Sequence, residues 1–198
     1  RGVIAGEPIR LLWIATANSV SLSLITALVA SILAIPVAYA IVRFPGWRSR
    51  LVEQVSYIGF ALPGIAIGLA LVSFSTRYAG FLYQSLFLLV FAFVILFLPA
   101  SVGPVQAAIR QMSPRMEEAS RTLGIGTMRT FQRVVFPLIA RGVFVGGSLV
   151  FLLTMKELPG TLILSPLNYR TLPTYIWDAA SEAFFAQAAI PSLFLVVC

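Results

Sequence analysis

Charged positions interrupt this chain so sparsely that their spacing predicts its architecture. Residues 11–42 carry no charge, and neither do 54–76, 78–109, 142–155 and 183–198. The fourth run extends back to 134 if Arg141 is tolerated. A helix that crosses a bilayer needs about 20 mostly apolar residues. The pattern therefore predicts five spans, near 16–42, 52–74, 81–103, 138–155 and 184–198. They should be helices, because a segment in lipid must satisfy its backbone internally. The strict alternation of a transmembrane barrel is missing. The expected fold class is all-α, a polytopic transmembrane helical bundle forming a single domain over 1–198. Position 1 is Arg, and the last run breaks off at Cys198 without a polar flank. A chain-terminal carboxylate in hydrocarbon is costly, so the expectation is a fragment of a longer membrane protein or one half of a fused one.

Within the spans, small residues and prolines stand out. Gly64/Gly68 and Gly142/Gly146 are both GxxxG pairs. Such spacing lets helices approach closely, either within one bundle or at a subunit interface. Pro36, Pro63 and Pro99 each free a backbone carbonyl and permit a kink. Pro63-Gly64 could line a moving pathway or form a passive kink. Asn18, Ser19, Gln54 and Ser73 are span polar residues that could line a pathway or simply hydrogen-bond neighbouring helices. Lys156 and Glu157 end the fourth span. They read as interface anchors or as a gate, and neighbours in sequence on a helix do not face each other.

The longest polar stretch is 104–141. Ser113 is a good N-cap, and Pro114 suits a first helical position. Glu117 and Glu118 lie near the positive end of the helix dipole, and Glu117 precedes Arg121 by four residues, the favoured order for a pair. Met116, Ala119/Ser120 and Leu123 recur on one face, and Gly124 is a natural C-terminal stop. A second helix should start at Thr127 and run to Phe136, where Pro137 interrupts it. The product is a short amphipathic helix, a glycine elbow and a second helix leading into a span. It could lie on lipid headgroups, or it could dock into a cytoplasmic partner.

Composition sharpens this picture. Of 198 residues 59% are apolar and 11% charged, against about 25% charge in an ordinary soluble domain. A disordered tail, a coiled coil and a disulfide-stapled module are excluded. There is no His and one Cys, which leaves little for a zinc, haem or iron–sulfur site, and no metal centre is expected. With the first segment outside, 43–50 and 104–141 are cytoplasmic and hold nine Arg, at 43, 48, 50, 110, 115, 121, 129, 133 and 141. The outer segments hold Arg1, Arg10, Arg77, Lys156 and Arg170. The basic residues favour this orientation. The net charge of +7 is thus a topology feature. A nucleic-acid reading fails, since the Arg residues never run densely beside stacking aromatics. An enzyme reading fails too. The single Lys156 follows Met155, so there is no P-loop, and without His no Ser–His or Cys–His nucleophile can form.

One stretch carries a family resemblance. Glu118-Ala119-Ser120, three residues, Gly124, nine residues, then Val134-x-Phe136-Pro137 resembles the EAA loop of ABC-transporter permeases of binding-protein-dependent importers. That family pattern is Glu-Ala-Ala, three residues, Gly, nine residues, Ile-x-Leu-Pro. Every spacing agrees. Ser120 replaces the second Ala, Val134 the Ile and Phe136 the Leu, which leaves the helix–Gly–helix geometry intact. Lys156-Glu157-Leu158-Pro159 resembles a segment of permeases for ferric iron and related substrates. Asn18-Ser19, Ala38-Tyr39 and Leu62-Pro63-Gly64 are similar to the same group. The likeness covers roughly 16–197 and looks most like a C-terminal half.

The resemblance implies a bacterial inner-membrane, multi-pass permease subunit. Its partners would be a cytoplasmic ABC ATPase dimer, an extracytoplasmic solute-binding protein and a second permease half or copy, all in a lipid bilayer. No cofactor is expected on this chain, and ATP would be used by the partner. The expected ATPase-coupling residues are Glu117, Glu118, Ala119, Ser120, Gly124, Val134 and Pro137 in the loop 104–137. Asn18, Pro63, Gly64, Lys156 and Glu157 are candidates for a pathway or gate. Ferric iron is the expected cargo, with thiamine, sulfate/molybdate, phosphonate or polyamine as alternatives within the class. Outside it stand an ATPase-independent channel or secondary carrier, and a non-transporting membrane scaffold. The span centres hold no acid or base of the kind that ion coupling would need.

Overall fold

The computed structural model describes residues 7–122 and 124–197, with the side chains of 7–9, 121, 185–187 and 197 left aside. The expected Glu117–Arg121 pair, Leu123, Arg1 and Cys198 therefore lie outside the described residues. The chain is all-α, and no strand occurs among the described residues. Helices α1 (Glu7–Arg43), α2 (Trp47–Ala61), α3 (Gly64–Tyr78), α4 (Leu86–Gln111) and α5 (Pro114–Thr122) follow one another. Then come α6 (Thr127–Thr130), a π-helical turn (Phe131–Val135), α7 (Phe136–Met155), α8 (Pro159–Leu164), α9 (Leu172–Ser181) and α10 (Phe185–Val197).

Three stretches are long and apolar enough to cross a membrane: Arg10–Arg43, Leu86–Gln111 and Thr127–Met155. Helices α2 and α3 make a fourth only if taken together as one broken span. The single helix expected over 52–74 is thus corrected to two. Pro63 adopts φ −64° and ψ 140°, and its ring and missing N–H end the helical ladder there. The third span does not begin at 81. Residues Gly80–Leu82 form a 3₁₀ turn, and α4 starts where Ser85 Oγ accepts the Leu88 N–H at 3.2 Å, an N-cap. Helix α10, Phe185–Val197, falls within the expected last run 184–198. Exposed apolar side chains line α1 at four-residue spacing, Leu24, Leu28 and Ile32 each being more than half exposed. A soluble protein would bury such a stripe.

The chain divides into two compact units. The first gathers residues up to Thr26, Leu62–Leu96 and the chain from Phe151 onward. Its core is Ala15, Met155, Leu172 and Tyr175 with Leu12, Phe151 and Leu195 against them. The second comprises Ala27–Ala61 and Phe97–Val150. Its core sets Ala34, Ala38 and Ile41 of α1 with Val102, Val105 and Ile109 of α4 and Ile139 of α7. Both GxxxG pairs are used inside the chain. A β-carbon at Gly142 would lie 2.7 Å from Pro104 O, and one at Gly146 2.9 Å from Ser101. Glycine there lets α7 approach α4 closely in the second unit. In the first unit, a β-carbon at Gly68 would meet Ile163 of α8 at 3.4 Å. The units also sort the charge. By sequence, all nine arginines of 43–50 and 104–141 fall in the second, with Glu53, Glu117 and Glu118.

Candidate functional site

The second unit carries the element expected to couple. Helix α5 opens at Pro114, as its sequence predicts, and Gly124 follows it at φ +76°. That conformation favours glycine. The Ile125 N–H reaches back to Ser120 O at 3.2 Å, the long closure of a Schellman stop. The two faces of α5 are unlike. Glu117 is buried. It accepts hydrogen bonds from Tyr39 Oη at 2.6 Å and Arg43 Nε at 2.9 Å, and Arg43 Nη2 lies 2.9 Å from the same carboxylate oxygen. Arg43 Nη2 also donates to Met112 O at 3.2 Å. Ser120 is buried too and shares a 2.9 Å hydrogen bond with Thr130 Oγ1 of α6. Glu118 and Ala119 are exposed beside Met116. The amphipathic helix is therefore fastened by Glu117 and Ser120, and it presents Met116, Glu118 and Ala119 outward.

The expected coupling residues thus separate into two groups, Glu117 and Ser120 inward and Glu118 and Ala119 outward. Arg43, Tyr39 and Thr130 complete the fastening. Sequence reasoning counted Arg43 for topology and Tyr39 for resemblance, and assigned neither to the loop. The unspent charge of a Tyr-x₃-Arg face at the end of α1 was the clue available.

Beyond the elbow, the expectation that Pro137 interrupts the second helix is corrected. The helical stretch runs from Thr127 to Met155. Pro137 is the second residue of α7, directly after the π-helical turn. Phe136 N–H bonds Phe131 O, five residues back. A proline in a regular helix clashes with the carbonyl four residues earlier. The wider turn at 131–135 makes room for the ring and lets the helix continue. Val134 lies in this turn.

The first unit holds the expected pathway or gate residues, and the structure brings three of them together. Lys156 is exposed, whereas Glu157 is half-buried and turned inward. Glu157 Oε1 accepts the Gly160 N–H at 3.1 Å, and Glu157 O accepts Thr161 Oγ1–H at 2.7 Å. A β-carbon on Gly64 would lie 2.5 Å from the same Oε1. Pro63-Gly64 and Glu157 are therefore neighbours. Asn18 sits elsewhere in the unit. Its Nδ2 donates to Arg170 O at 2.9 Å, its carbonyl accepts from Tyr169 Oη at 3.0 Å, and Ser19 Oγ accepts the Leu172 N–H at 2.7 Å. These two residues hold the loop before α9, where Thr171 and Thr174 form a capping box. Burial raises the Tyr169 phenol above its ordinary value and outweighs the opposing hydrogen bond with Ser21.

Comparison with known proteins agrees with this arrangement. The family of binding-protein-dependent transport system inner membrane components matches residues 27–198. The Fe(3+)-transport system permease protein FbpB 2 of Haemophilus influenzae is 34% identical over 183 residues, covering 92% of this chain and 36% of the relative. The molybdenum transport system permease protein ModB of Escherichia coli K12 is 30% identical over 207 residues, covering 93% of this chain and 89% of the relative. The putative 2-aminoethylphosphonate transport system permease protein PhnU of Salmonella typhimurium is 29% identical over 174 residues, 79% of this chain and 60% of the relative. The chain thus spans about a third of the length of the Haemophilus relative and most of the molybdenum permease. With an all-α membrane fold and an EAA-type loop built as a helix, a glycine elbow and a second helix, the chain belongs to the binding-protein-dependent transport system inner membrane components, the permeases of ABC importers.

Proposed function

We propose that the chain is the membrane-spanning permease part of an ATP-driven importer, and that its cargo is ferric iron delivered by an extracytoplasmic binding protein. The observation that carries the coupling role is the two-faced α5. Glu117 and Ser120 spend their polar atoms on Arg43, Tyr39 and Thr130, so the helix is held to its own unit. Glu118 and Ala119 are left outward for a partner. In this reading a cytoplasmic ATPase pair grips that face, and Gly124, Val134 and Pro137 pass its movement into α7. ATP is bound and hydrolysed by the partner. A second permease half or copy completes the pathway in the bacterial inner membrane. The iron assignment is supported by the name of the Haemophilus relative. A molybdate-type oxyanion is the second reading, because the molybdenum permease is matched over 89% of its length.

The test is reconstitution with the candidate ATPase and binding protein. Glu118→Arg with Ala119→Trp should release the ATPase from the purified complex while the permease remains in the membrane. Retention of the ATPase by that variant overturns the coupling assignment. Uptake of ferric iron without molybdate uptake supports the cargo, and the opposite pattern moves it to the oxyanion reading.

A further inference from the structure

Glu157 is placed where three elements meet in the first unit. It lies two residues beyond Met155, the last residue of α7. Its carboxylate Oε1 accepts the Gly160 N–H at the start of α8. The same oxygen fills the space beside Gly64, the first residue of α3, where any β-carbon would stand 2.5 Å away. One turn along α3, Gly68 rests on Ile163 of α8. A β-carbon on Gly160 would meet the Phe93 ring at 2.8 Å and Glu157 Oε1 at 3.4 Å, so this side of α8 is close-packed too. Gly64 thus leaves room for the carboxylate and Gly160 for the Phe93 ring, and both glycines belong to helix starts.

The charge has a reason to be there. The described residues hold no basic side chain in an ion pair with Glu157; the ion pair among them joins Arg43 to Glu117. Helix α3 runs for 15 residues from an N-cap, Pro63, that offers no side-chain hydrogen bond. The unsatisfied N–H groups of a helix start carry partial positive charge and favour an anion. The Glu157 carboxylate stands beside the start of α3 and supplies it there, while at α8 it accepts the Gly160 N–H directly. Gln at this position would keep the size and the acceptor and remove the charge.

We propose that Glu157 is a positioning residue for transport: its carboxylate fastens the starts of α3 and α8 to the end of α7, so that movement delivered along α7 carries both with it. The proposal rests on the importer reading, and it has a readout that does not. In the reconstituted importer, Glu157→Gln should lower maximal uptake about tenfold, the scale of one weakened charge-assisted hydrogen bond. The half-saturating concentration of loaded binding protein and the amount of protein in the membrane should stay as in wild type, and ATP hydrolysis should continue. Gly64→Ala pushes the flexible end of Glu157 aside and should give the same loss. Gly64→Ala with Glu157→Gln should be no worse than the lower single variant. Independently of uptake, amide exchange of the Gly160 N–H should be slow in wild type and fast in Glu157→Ala. Wild-type uptake by Glu157→Gln, losses that multiply in the double variant, or an equally protected Gly160 amide in Glu157→Ala overturns the proposal. If the wild-type importer moves no solute, the importer reading fails while the exchange measurement still decides the fastening.

Discussion

Two glutamates, one in each compact unit, hold short helices by opposite means. Glu117 is buried against a dedicated cation, with Arg43 and Tyr39 both bonded to its carboxylate. Glu157 is half-buried against main chain, with the Gly160 N–H as donor and Gly64 making room. The second unit uses charge to cancel charge. The first uses absent side chains and helix starts. A buried ion pair is stiff in composition, because neither partner tolerates loss of the other. A carboxylate on a main-chain amide needs no cation, and its seat depends on glycine. The arginine-rich unit can supply an ion pair cheaply, since its by-sequence charge is strongly positive, whereas the other unit is close to neutral.

The largest expected effect comes from breaking the ion pair. Arg43→Ala leaves the buried Glu117 carboxylate without its guanidinium, and Glu117→Ala leaves the half-buried Arg43 without its carboxylate. Removing one partner of a buried pair costs about 3–5 kcal/mol. Each single variant should lower the thermal midpoint of the purified permease strongly and release the ATPase. The double variant should cost less than the sum of the two, as expected for coupled neighbours. Additive losses would show that the pair contributes nothing as a pair.

Next in size is the elbow. Gly124 stands at φ +76° with open space where a β-carbon would go. A β-carbon there meets no neighbour, and the cost of its left-handed conformation for a non-glycine residue is about 1–2 kcal/mol. Gly124→Val should stop uptake while the protein stays in the membrane at wild-type abundance. Unchanged uptake by this variant removes the elbow from the coupling path. The contrast with Arg43→Ala matters: the elbow changes the direction of the chain without touching the core of the unit.

Local chemistry was legible in the sequence wherever the deciding groups are close along the chain. The start of α5 at Pro114 and the stop at Gly124 follow from neighbours within a few residues. The GxxxG spacing anticipated close helix approach, and the charge-free runs anticipated the long helices. Three things were hidden. Glu117 bonds a residue 74 positions away, and no spacing rule reaches that far. Asn18 and Ser19 tie a loop some 150 residues on, whereas as polar residues in a span they left a pathway and hydrogen bonds to neighbouring helices both open. Pro63 and Pro137 carry the same helix-breaking chemistry with opposite outcomes. At Pro63 the chain takes extended dihedrals and a new helix begins. At Pro137 a π turn widens the helix and the ring is absorbed. The sequence around them does not reveal which adjustment the packing will permit.

The smallest effect belongs to the second fastening of α5. Ser120 stands where the family pattern has alanine, so Ser120→Ala restores the pattern and still removes a buried hydrogen bond. A typical intramolecular hydrogen bond contributes about 1 kcal/mol net. Thr130 Oγ1 keeps a long contact with Ile125 O at 3.4 Å, so the loss should fall below that. Thr130→Val leaves the Ser120 hydroxyl enclosed without Thr130 as its partner, and it should cost more than Ser120→Ala. Both should leave the Glu117–Arg43 pair in place and the ATPase bound, since the ion pair holds the same helix. Thermal midpoints of the two variants order the effects, and ATPase retention separates this fastening from the other. If Ser120→Ala releases the ATPase as fully as Arg43→Ala, the hydrogen bond to α6 rather than the ion pair sets the position of α5.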